Sequence, residues 1–253
     1  MKINFYKSSV EDKRFSDLFN RYKMLKKILP KKIICFDVGA NEGQTILEIS
    51  KNFPGSIIHS FEPQKNCETK LEYLKNKIKK SKIYINLVAC GEKNINKIFY
   101  THSSSNLSSF LKINTKSKFL LKMKQLSKKK KYLESINNPI KVRQITLSDY
   151  IKNKKVRTID LLKIDTQGYE LNVLKGIKKQ DLFKIKIIVL EVNFWDYYSK
   201  MTSFYEIEKI LGKNFKFWDI SFIYKNPKYL STDYVDAVYI NKFFYDKLKK
   251  NLK

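Results

Sequence analysis

The sequence is poor in glycine, proline, cysteine and histidine, and these shortages exclude several kinds of protein. Seven glycines and five prolines in 253 residues leave no room for a long flexible linker. The three cysteines, Cys35, Cys67 and Cys90, form no CxxC pair and no His/Cys cluster, which argues against a secreted disulfide framework and against structural zinc. We therefore expect three buried thiols and no metal site.

Long apolar runs are also missing. The N-terminal stretch MKINFYKSSVEDKRF lacks the apolar centre of a signal peptide, and no segment approaches the length of a membrane span. These absences predict a cytoplasmic protein. The charge of the chain leaves open a peripheral position at the inner face of the membrane.

Acidic residues are scarce relative to basic ones: 24 Asp and Glu stand against 52 Lys and Arg, a net charge of +28. This excess predicts attraction to polyanions or to an anionic membrane. The lysines could instead simply coat the surface. Because lysine far outnumbers arginine, the better reader of phosphates and bases, we expect no specific nucleic-acid partner. The stretch 112–131 has nine lysines and no acid, which indicates a basic helix that is either solvated or in contact with a membrane or polyanion.

The order of the segments predicts one α/β domain. Hydrophobic residues make up 43% of the chain, enough for a sizeable core. Apolar residues at helical spacing over 13–29 predict an N-terminal helical extension (1–30) before a domain at 31–253, with the basic insertion at about 112–135. Strands and helices then alternate, as in an open, mostly parallel sheet. The predicted strands are 33–38, 56–62, 82–90, 94–101, 142–146, 157–165, 184–194, 214–220 and 233–240, and the predicted helices 43–52, 64–80, one capped by Ser148, 169–177 and 201–211.

The first predicted strand ends in FDVGANEG, at the position where ligands bind in open α/β sheets. Gly39 permits a turn that a side chain would obstruct, and Gly43 would let the next helix begin close against a ligand. Asp37 can anchor a cationic group or orient the loop. Neither GxGxxG nor GK[ST] is present, and the acids Asp37 and Glu42 would repel a pyrophosphate.

The second predicted strand ends in Glu62-Pro63, 25 residues after Asp37. An acid at this place can accept two hydrogen bonds from a ribose diol. A cationic cofactor with a ribose fits both acids, and S-adenosylmethionine, with its sulfonium, ammonium and ribose, has these features. The predicted cofactor-binding residues near these two strand ends are Asp37, Gly39, Ala40, Asn41, Gly43, Glu62 and Pro63.

Several motifs resemble, in order, those of FkbM-type methyltransferases. They are FDVGANEGQT, FEP, VACGE, SSNLSSF, ITLSDYI, IDLLKIDTQGYELNVLKG and IVLEV, and they cover residues 33–193. The resemblance implies a class I methyltransferase (Rossmann-like) fold: a seven-stranded, mostly parallel sheet with its last strand antiparallel. It also implies S-adenosylmethionine as donor and methyl transfer to a hydroxyl of a sugar, surface glycan, glycolipid or similar small molecule. Gln167 departs from the family, which usually has Glu at this position.

The resemblance also suggests which residues carry the chemistry. It places Asp165 toward the transferred methyl, either as the base that removes the acceptor proton or as a positioning group. Lys163 shares a strand face with Asp165 and would pair with it or with Glu191. His102, one of two histidines, is a second candidate base. Methyltransferases of this fold contact adenine after the third strand, which suggests Ala89 and Cys90.

Two other functions remain open on the sequence alone. The charge of +28 allows an RNA methyltransferase, although KIDTQGYE stands where base methyltransferases often have an Asn/Asp-Pro-Pro-aromatic element. A non-catalytic module with this fold could bind a membrane or a protein through the basic helix. Binding of S-adenosylmethionine would separate the two enzymes from the module.

Overall fold

The computed structural model describes residues 22–114, 116–117, 138–225 and 231–251. Its main sheet has seven strands in the order β3-β2-β1-β7-β8-β10-β9. Their bounds are β1 Ile34–Val38, β2 Ile57–Phe61, β3 Lys82–Asn86, β7 Ile159–Ile164, β8 Ile185–Asn193, β9 Phe215–Lys225 and β10 Thr232–Asn241. The first five strands in this order pair in parallel, whereas β10 is antiparallel to both β8 and β9. The predicted seven-stranded sheet with an antiparallel last strand is confirmed.

Helices cover both faces of this sheet. They are α1 Gln44–Asn52, α2 Lys65–Lys77, α3 Leu147–Asn153, α4 Glu170–Lys175, α5 Lys179–Leu182, α6 Phe204–Leu211 and α7 Lys242–Asn251. Helices α1, α2 and α7 pack on one face, and α3 to α6 pack on the other. Because both faces are covered, every residue of β7 is buried. This explains why its sequence is apolar except for Asp160 and Lys163.

A second, three-stranded sheet has the order β4-β6-β5, with β4 Ala89–Cys90, β5 Ile95–Thr101 and β6 Asn138–Ile145. The prediction of one strand over 82–90 is therefore wrong. Its first half joins the main sheet, and its second half pairs with β6 through Ala89–Gln144 and Cys90–Ile145. This small sheet flanks the carboxyl ends of the main strands, next to the site described below.

Other segments differ from their predictions. Thr146, not Ser148, caps α3: its hydroxyl accepts a hydrogen bond from the Asp149 N–H at 3.1 Å. The Ser148 hydroxyl is instead 2.7 Å from both Asp181 Oδ2 and the Lys178 N–H. Residues 13–21 of the predicted N-terminal helix lie outside the described residues, and the rest forms only a 3-10 turn, Met24–Lys27. Helices α5 and α7 were not predicted.

The cysteines are buried and unpaired, as predicted. Most of the basic stretch, residues 118–131, lies outside the described residues, so the predicted helix there stays a prediction. Within the described part of the chain, no helix combines the length and the apolar character that crossing a bilayer requires.

Candidate active site

A cavity of about 790 Å³ lies at the carboxyl ends of the parallel strands. Four of these five strands contribute residues at or just after their ends. These are Val38, Gly39, Ala40 and Asn41 after β1, Phe61, Glu62 and Pro63 after β2, Lys163 and Asp165 at β7, and Glu191 and Asn193 at β8. The sequence-predicted residues Gly39, Ala40, Asn41, Glu62, Pro63, Ala89, Cys90, Lys163 and Asp165 all line this one cavity.

The loop after β1 is held against the end of β2. The N–H groups of Gly39 and Ala40 donate to the Phe61 carbonyl at 3.0 and 3.1 Å. Gly39 has a φ of +83°, and a Cβ at this position would lie 1.8 Å from the backbone oxygen of Asp165. Only glycine lets the ends of β1 and β7 approach this closely.

The Glu62 carboxylate organises the wall on the β2 side. Its Oε2 accepts from the Asn41 N–H at 2.8 Å, and its Oε1 accepts from the N–H and side-chain amide of Gln64 at 2.9 and 3.1 Å. A carboxylate has about four acceptor positions. Three of these positions are used within the protein, and Oε2 keeps acceptor capacity that faces the cavity.

Two predicted residues lie beneath the cavity and do not line it. Gly43, with a φ of +90°, faces Leu71 and Leu74 of α2, where a Cβ would come within 2.4 Å of Leu74 Cδ1. Gly43 therefore allows α1 to pack closely against α2. The expectation that it lets this helix begin close to a ligand is wrong. Asp37 is fully buried in β1 beside Lys163, its register partner on β7. Burial raises the pKa of Asp37 to about 6, while the charge of Lys163 opposes this rise.

A network of charged and amide groups forms the base of the cavity. Lys163 Nζ lies 2.8 Å from Asp165 Oδ2, and both side chains are largely buried. Gln167 Nε2 donates to Asp165 Oδ1 at 2.8 Å and to Glu191 Oε1 at 3.0 Å. Asn193 Nδ2 donates to the same Glu191 oxygen at 2.8 Å. The predicted pairing of Lys163 with Asp165 is confirmed.

Acids outnumber bases in this network. Asp165, Asp37 and Asp236 act on the single lysine of this network, Lys163, and Glu191 and Glu170 lie within reach of the same Asp165. Burial would lower the pKa of Lys163, but the charges of Asp165 and Asp37 raise it above its ordinary value. Burial, and then the charges of Asp165 and Asp236, raise the pKa of Glu191 well above its usual range. Such an excess of buried carboxylates favours a cationic ligand.

Glu170 holds the loop that carries Asp165. Its Oε1 accepts from the N–H groups of Thr166 and Gly168 at 2.8 and 3.1 Å. Burial raises the pKa of Glu170 to about 7, against these hydrogen bonds. Glu170 therefore stabilises the β7–α4 turn, as negative charge does at the first turn of a helix.

His102 lies outside the cavity lining. Its side chain is buried, and its Nδ1 accepts from the Ser104 N–H at 3.0 Å. Burial lowers the pKa of His102 below its ordinary value, although the Ser104 contact opposes this. The structure therefore gives His102 a role in shaping the loop 102–109, and does not bring it to Asp165 as a candidate base. The same loop does reach the cavity through residues 105–108, and Ser105 Oγ lies 2.7 Å from Asn41 Oδ1.

The outer wall of the cavity is aromatic, which the sequence reasoning missed. Trp195, Tyr197 and Tyr198 follow β8, and Tyr224 and Tyr234 come from the β9–β10 hairpin. The rings of Tyr224 and Tyr234 stack at 5.1 Å with an interplanar angle of 11°. The run FWDYY at 194–198, directly after a strand end, was a signal that could have identified part of this wall.

Comparison with known protein families gives one extended match. A family model described as the methyltransferase FkbM domain matches residues 37–217. The 31-O-demethyl-FK506 methyltransferase FkbM of Streptomyces tacrolimicus is 25% identical over 172 residues, which cover 63% of this chain and 65% of that protein. The match therefore spans a little less than two thirds of that relative's length.

Solved structures with a similar fold include methyltransferases. TrmK of M. capricolum with S-adenosylhomocysteine has a TM-score of 0.45 at 13% identity, covering 88% of this chain and 67% of that one. The putative methyltransferase SMU.1697c of Streptococcus mutans, also with S-adenosylhomocysteine, has a TM-score of 0.46 at 10% identity, covering 90% and 96%. These likenesses are too distant to inform on substrate.

Proposed function

The chain belongs to the FkbM methyltransferase family, and on that premise we propose that it transfers a methyl group from S-adenosylmethionine to a hydroxyl of a sugar. The sugar can be free or part of a surface glycan, a glycolipid or a similar small molecule. One observation carries the proposal: a single cavity combines an excess of carboxylates at its base with an aromatic outer wall. The first feature suits a cationic cofactor, and the second suits a sugar ring.

The residues at the strand ends fit the cofactor. Its net positive charge would offset the surplus of buried carboxylates around Lys163. The remaining acceptor position of Glu62 would take a ribose hydroxyl. Ala89 and Cys90 lie in the lining with Phe99 and Phe110, which leaves an apolar place for adenine. When bound, S-adenosylmethionine supplies an activated methyl group.

Asp165 is the residue best placed to receive the acceptor proton. It lines the cavity, and its carboxylate, which can accept a proton, is held by the Lys163 ammonium at 2.8 Å. Because the donor is already activated, the other task of the protein is to hold the acceptor hydroxyl in line with the methyl group. The loop 105–108 and the aromatic wall surround the space where that acceptor would lie.

The aromatic wall supports a sugar as acceptor. Faces of aromatic rings pack against the apolar C–H face of a sugar, and polar neighbours bind its hydroxyls. Tyr224 and Trp195 offer such rings, and Asn106, Asn193 and Asp233 lie in the same lining. An RNA acceptor would also need a path of cations for its phosphates. The described lining contains two lysines, Lys51 and the buried, ion-paired Lys163, and no arginine.

Glu62→Ala is expected to weaken binding of S-adenosylmethionine by about 1–3 kcal/mol, because it removes a charged acceptor and frees the Asn41 and Gln64 N–H groups. Isothermal titration calorimetry measures this change. Glu72→Ala, on the exposed face of α2, is the matched control and should bind as the wild type does. Unchanged affinity in Glu62→Ala would remove Glu62 from the cofactor site.

Asp165→Asn is expected to lower turnover roughly 10²- to 10⁴-fold, the usual contribution of a general base, with a much smaller loss of cofactor affinity. Asp160→Asn is a suitable control, because Asp160 is likewise ion-paired with a lysine, Lys186, but lies near the start of β7, away from the cavity. Equal losses of turnover and affinity in Asp165→Asn would make Asp165 a positioning group instead of the base.

The proposal is tested by calorimetry with S-adenosylmethionine, followed by transfer of a labelled methyl group to a panel of sugars, nucleotide sugars, glycolipids and RNA. We expect binding, and label in a sugar-containing acceptor. Salt-dependent RNA binding with RNA-dependent turnover would replace the sugar by RNA. Absence of cofactor binding would overturn the enzymatic proposal.

A further inference from the structure

The side chain of Gln167 lies between two carboxylates of the candidate active site. Its amide nitrogen is 2.8 Å from Asp165 Oδ1 and 3.0 Å from Glu191 Oε1, so it is within reach of both acids. An amide nitrogen carries two hydrogens, one for each acid. A glutamate at this position would be acceptor-only when ionised and would place a third carboxylate against the other two.

We propose that Gln167 is a positioning residue that holds Asp165 and Glu191 side by side and turns Asp165 toward the cavity. This inference rests on the proposed function, since it assigns a task within the same site. Asp165 then has one oxygen fixed by Lys163 and the other by Gln167, which leaves its carboxylate little freedom to rotate. A base held in one orientation needs less reorganisation when it receives a proton.

The backbone of Gln167 supports this role. Its φ is +56°, in the left-handed region that a non-glycine residue adopts only at a cost. Neighbouring side chains hold the strained turn: the Ser109 hydroxyl donates to the Gln167 carbonyl at 2.8 Å, and the Thr202 hydroxyl donates to the Gly168 carbonyl at 2.8 Å. These two hydrogen bonds offset the cost of the left-handed conformation and keep the Gln167 amide between the two acids.

The other end of the amide faces Tyr198. The Tyr198 hydroxyl lies 3.1 Å from Gln167 Oε1 and 2.8 Å from the Leu107 carbonyl, and its single hydrogen can be donated to only one of the two at a time. The two carboxylates, which accept hydrogen bonds, hold the NH₂ group on their own side. Gln167 therefore links the acids at the base of the cavity to Tyr198 of the aromatic wall, the side on which the acceptor would bind.

The charged groups that act on Lys163, Glu191 and Tyr198, next to Gln167, come from several elements. They are Asp37 of β1, Lys163 at β7 with Asp165 after it, Glu170 of α4, Glu191 of β8, Asp236 of β10 and the titratable Tyr198 of the loop after β8. A carboxylate introduced at position 167 would meet mainly acids. It would be more easily protonated in the folded chain than in the unfolded chain, where the pKa of Glu is about 4.3.

The ligand-free protein gives the first test, through Gln167→Glu. A group whose folded pKa is raised keeps its contribution to stability at low pH and loses it as the pH rises. We expect a melting temperature near that of the wild type at pH 5, where the introduced carboxyl is protonated and can still donate one hydrogen bond, and several degrees lower at pH 8. Gln167→Asn is the matched control. It is uncharged and suits a left-handed backbone but is one methylene too short, so its loss should be the same at both pH values.

The second test measures affinities for S-adenosylmethionine and for its product S-adenosylhomocysteine, which lacks the sulfonium and has no net charge, between pH 5 and 8. Preference for the cation should rise with pH as the carboxylates ionise, and Gln167→Glu should move the midpoint of this rise up by about one pH unit or more. Gln167→Asn should keep the wild-type midpoint. A wild-type midpoint in Gln167→Glu, or an equal loss of melting temperature at pH 5 and pH 8, would overturn the positioning role.

The two proposals fail in different ways. If the wild type binds neither compound, the proposed function is wrong, and the melting temperatures of ligand-free Gln167→Glu and Gln167→Asn still decide whether Gln167 separates the two acids. If the wild type binds S-adenosylmethionine, and Gln167→Glu has the melting temperatures and affinities of the wild type at every pH, the methyltransferase proposal stands. The positioning role of Gln167 is then wrong.

Discussion

Gly39→Ala is expected to lower turnover roughly 100-fold or more, and to destabilise the protein by about 2–5 kcal/mol. A methyl group at this position would lie 1.8 Å from the Asp165 backbone oxygen, and the φ of +83° is unfavourable for alanine. Either the β1 loop or the loop carrying Asp165 must move. The change would therefore alter both the cofactor wall and the candidate base. Thermal unfolding measures the loss of stability, transfer of a labelled methyl group measures the loss of turnover, and calorimetry with S-adenosylmethionine measures the cofactor affinity.

Gly55→Ala is the matched control for this prediction. Gly55 has nearly the same φ, +86°, but a Cβ there would meet only the flexible side chain of Lys32, at 3.0 Å. We expect only the backbone cost, about 1–2 kcal/mol, and wild-type cofactor affinity. If both variants lose the same stability and Gly39→Ala binds cofactor normally, the close approach of β1 and β7 is not needed at the site.

Lys163→Met is expected to destabilise the protein by about 3–5 kcal/mol at pH 8, the usual cost of removing one partner from a buried ion pair. It leaves Asp165 and Asp37 without their common cation. The pKa of Asp37 is already raised to about 6, and loss of the lysine would raise it further. A raised folded pKa means stability that is present at low pH and lost as the pH rises, so the deficit should be smaller at pH 5.

Denaturant unfolding at pH 5 and pH 8 checks this second prediction. Lys75→Met is the control, because Lys75 forms an exposed pair with Glu72, and exposed pairs contribute about 0–1 kcal/mol. If Lys163→Met loses as little unfolding free energy as the control, or loses the same amount at both pH values, the negative charges of Asp37 and Asp165 do not depend on Lys163 for neutralisation.

Much of the fold could be read from the sequence. The buried strands at β1, β7 and β8 appear as apolar runs because helices cover both faces of the sheet. The helix over 64–80 was predicted with Leu71, Leu74 and Ile78 as its inner face. Leu71 and Leu74 are buried, whereas the helix ends at Lys77 and Ile78, at its C-cap, is only partly buried. The prediction over 82–90 was wrong because strand propensity does not say which sheet a segment joins.

The candidate site was predicted in part. Residues such as Glu62 and Asp165 follow strand ends, and parallel strands bring their ends to one edge of a sheet. His102 also follows a strand, but that strand, β5, belongs to the second sheet. The aromatic wall went unrecognised because Tyr224 and Tyr234 lie far along the chain from the family motifs and meet only in the β9–β10 hairpin.

The sequence by itself determined most of the order of strands and helices, the family motifs and the position of acids at strand ends, because these depend on local pattern and on motif order. Only the tertiary structure decided which groups touch. Gln167, a departure from the family in the sequence, lies in the structure between Asp165 and Glu191, an arrangement that needs β7 and β8 side by side. Contacts between residues distant in the chain depend on sheet register and packing, which no local pattern encodes.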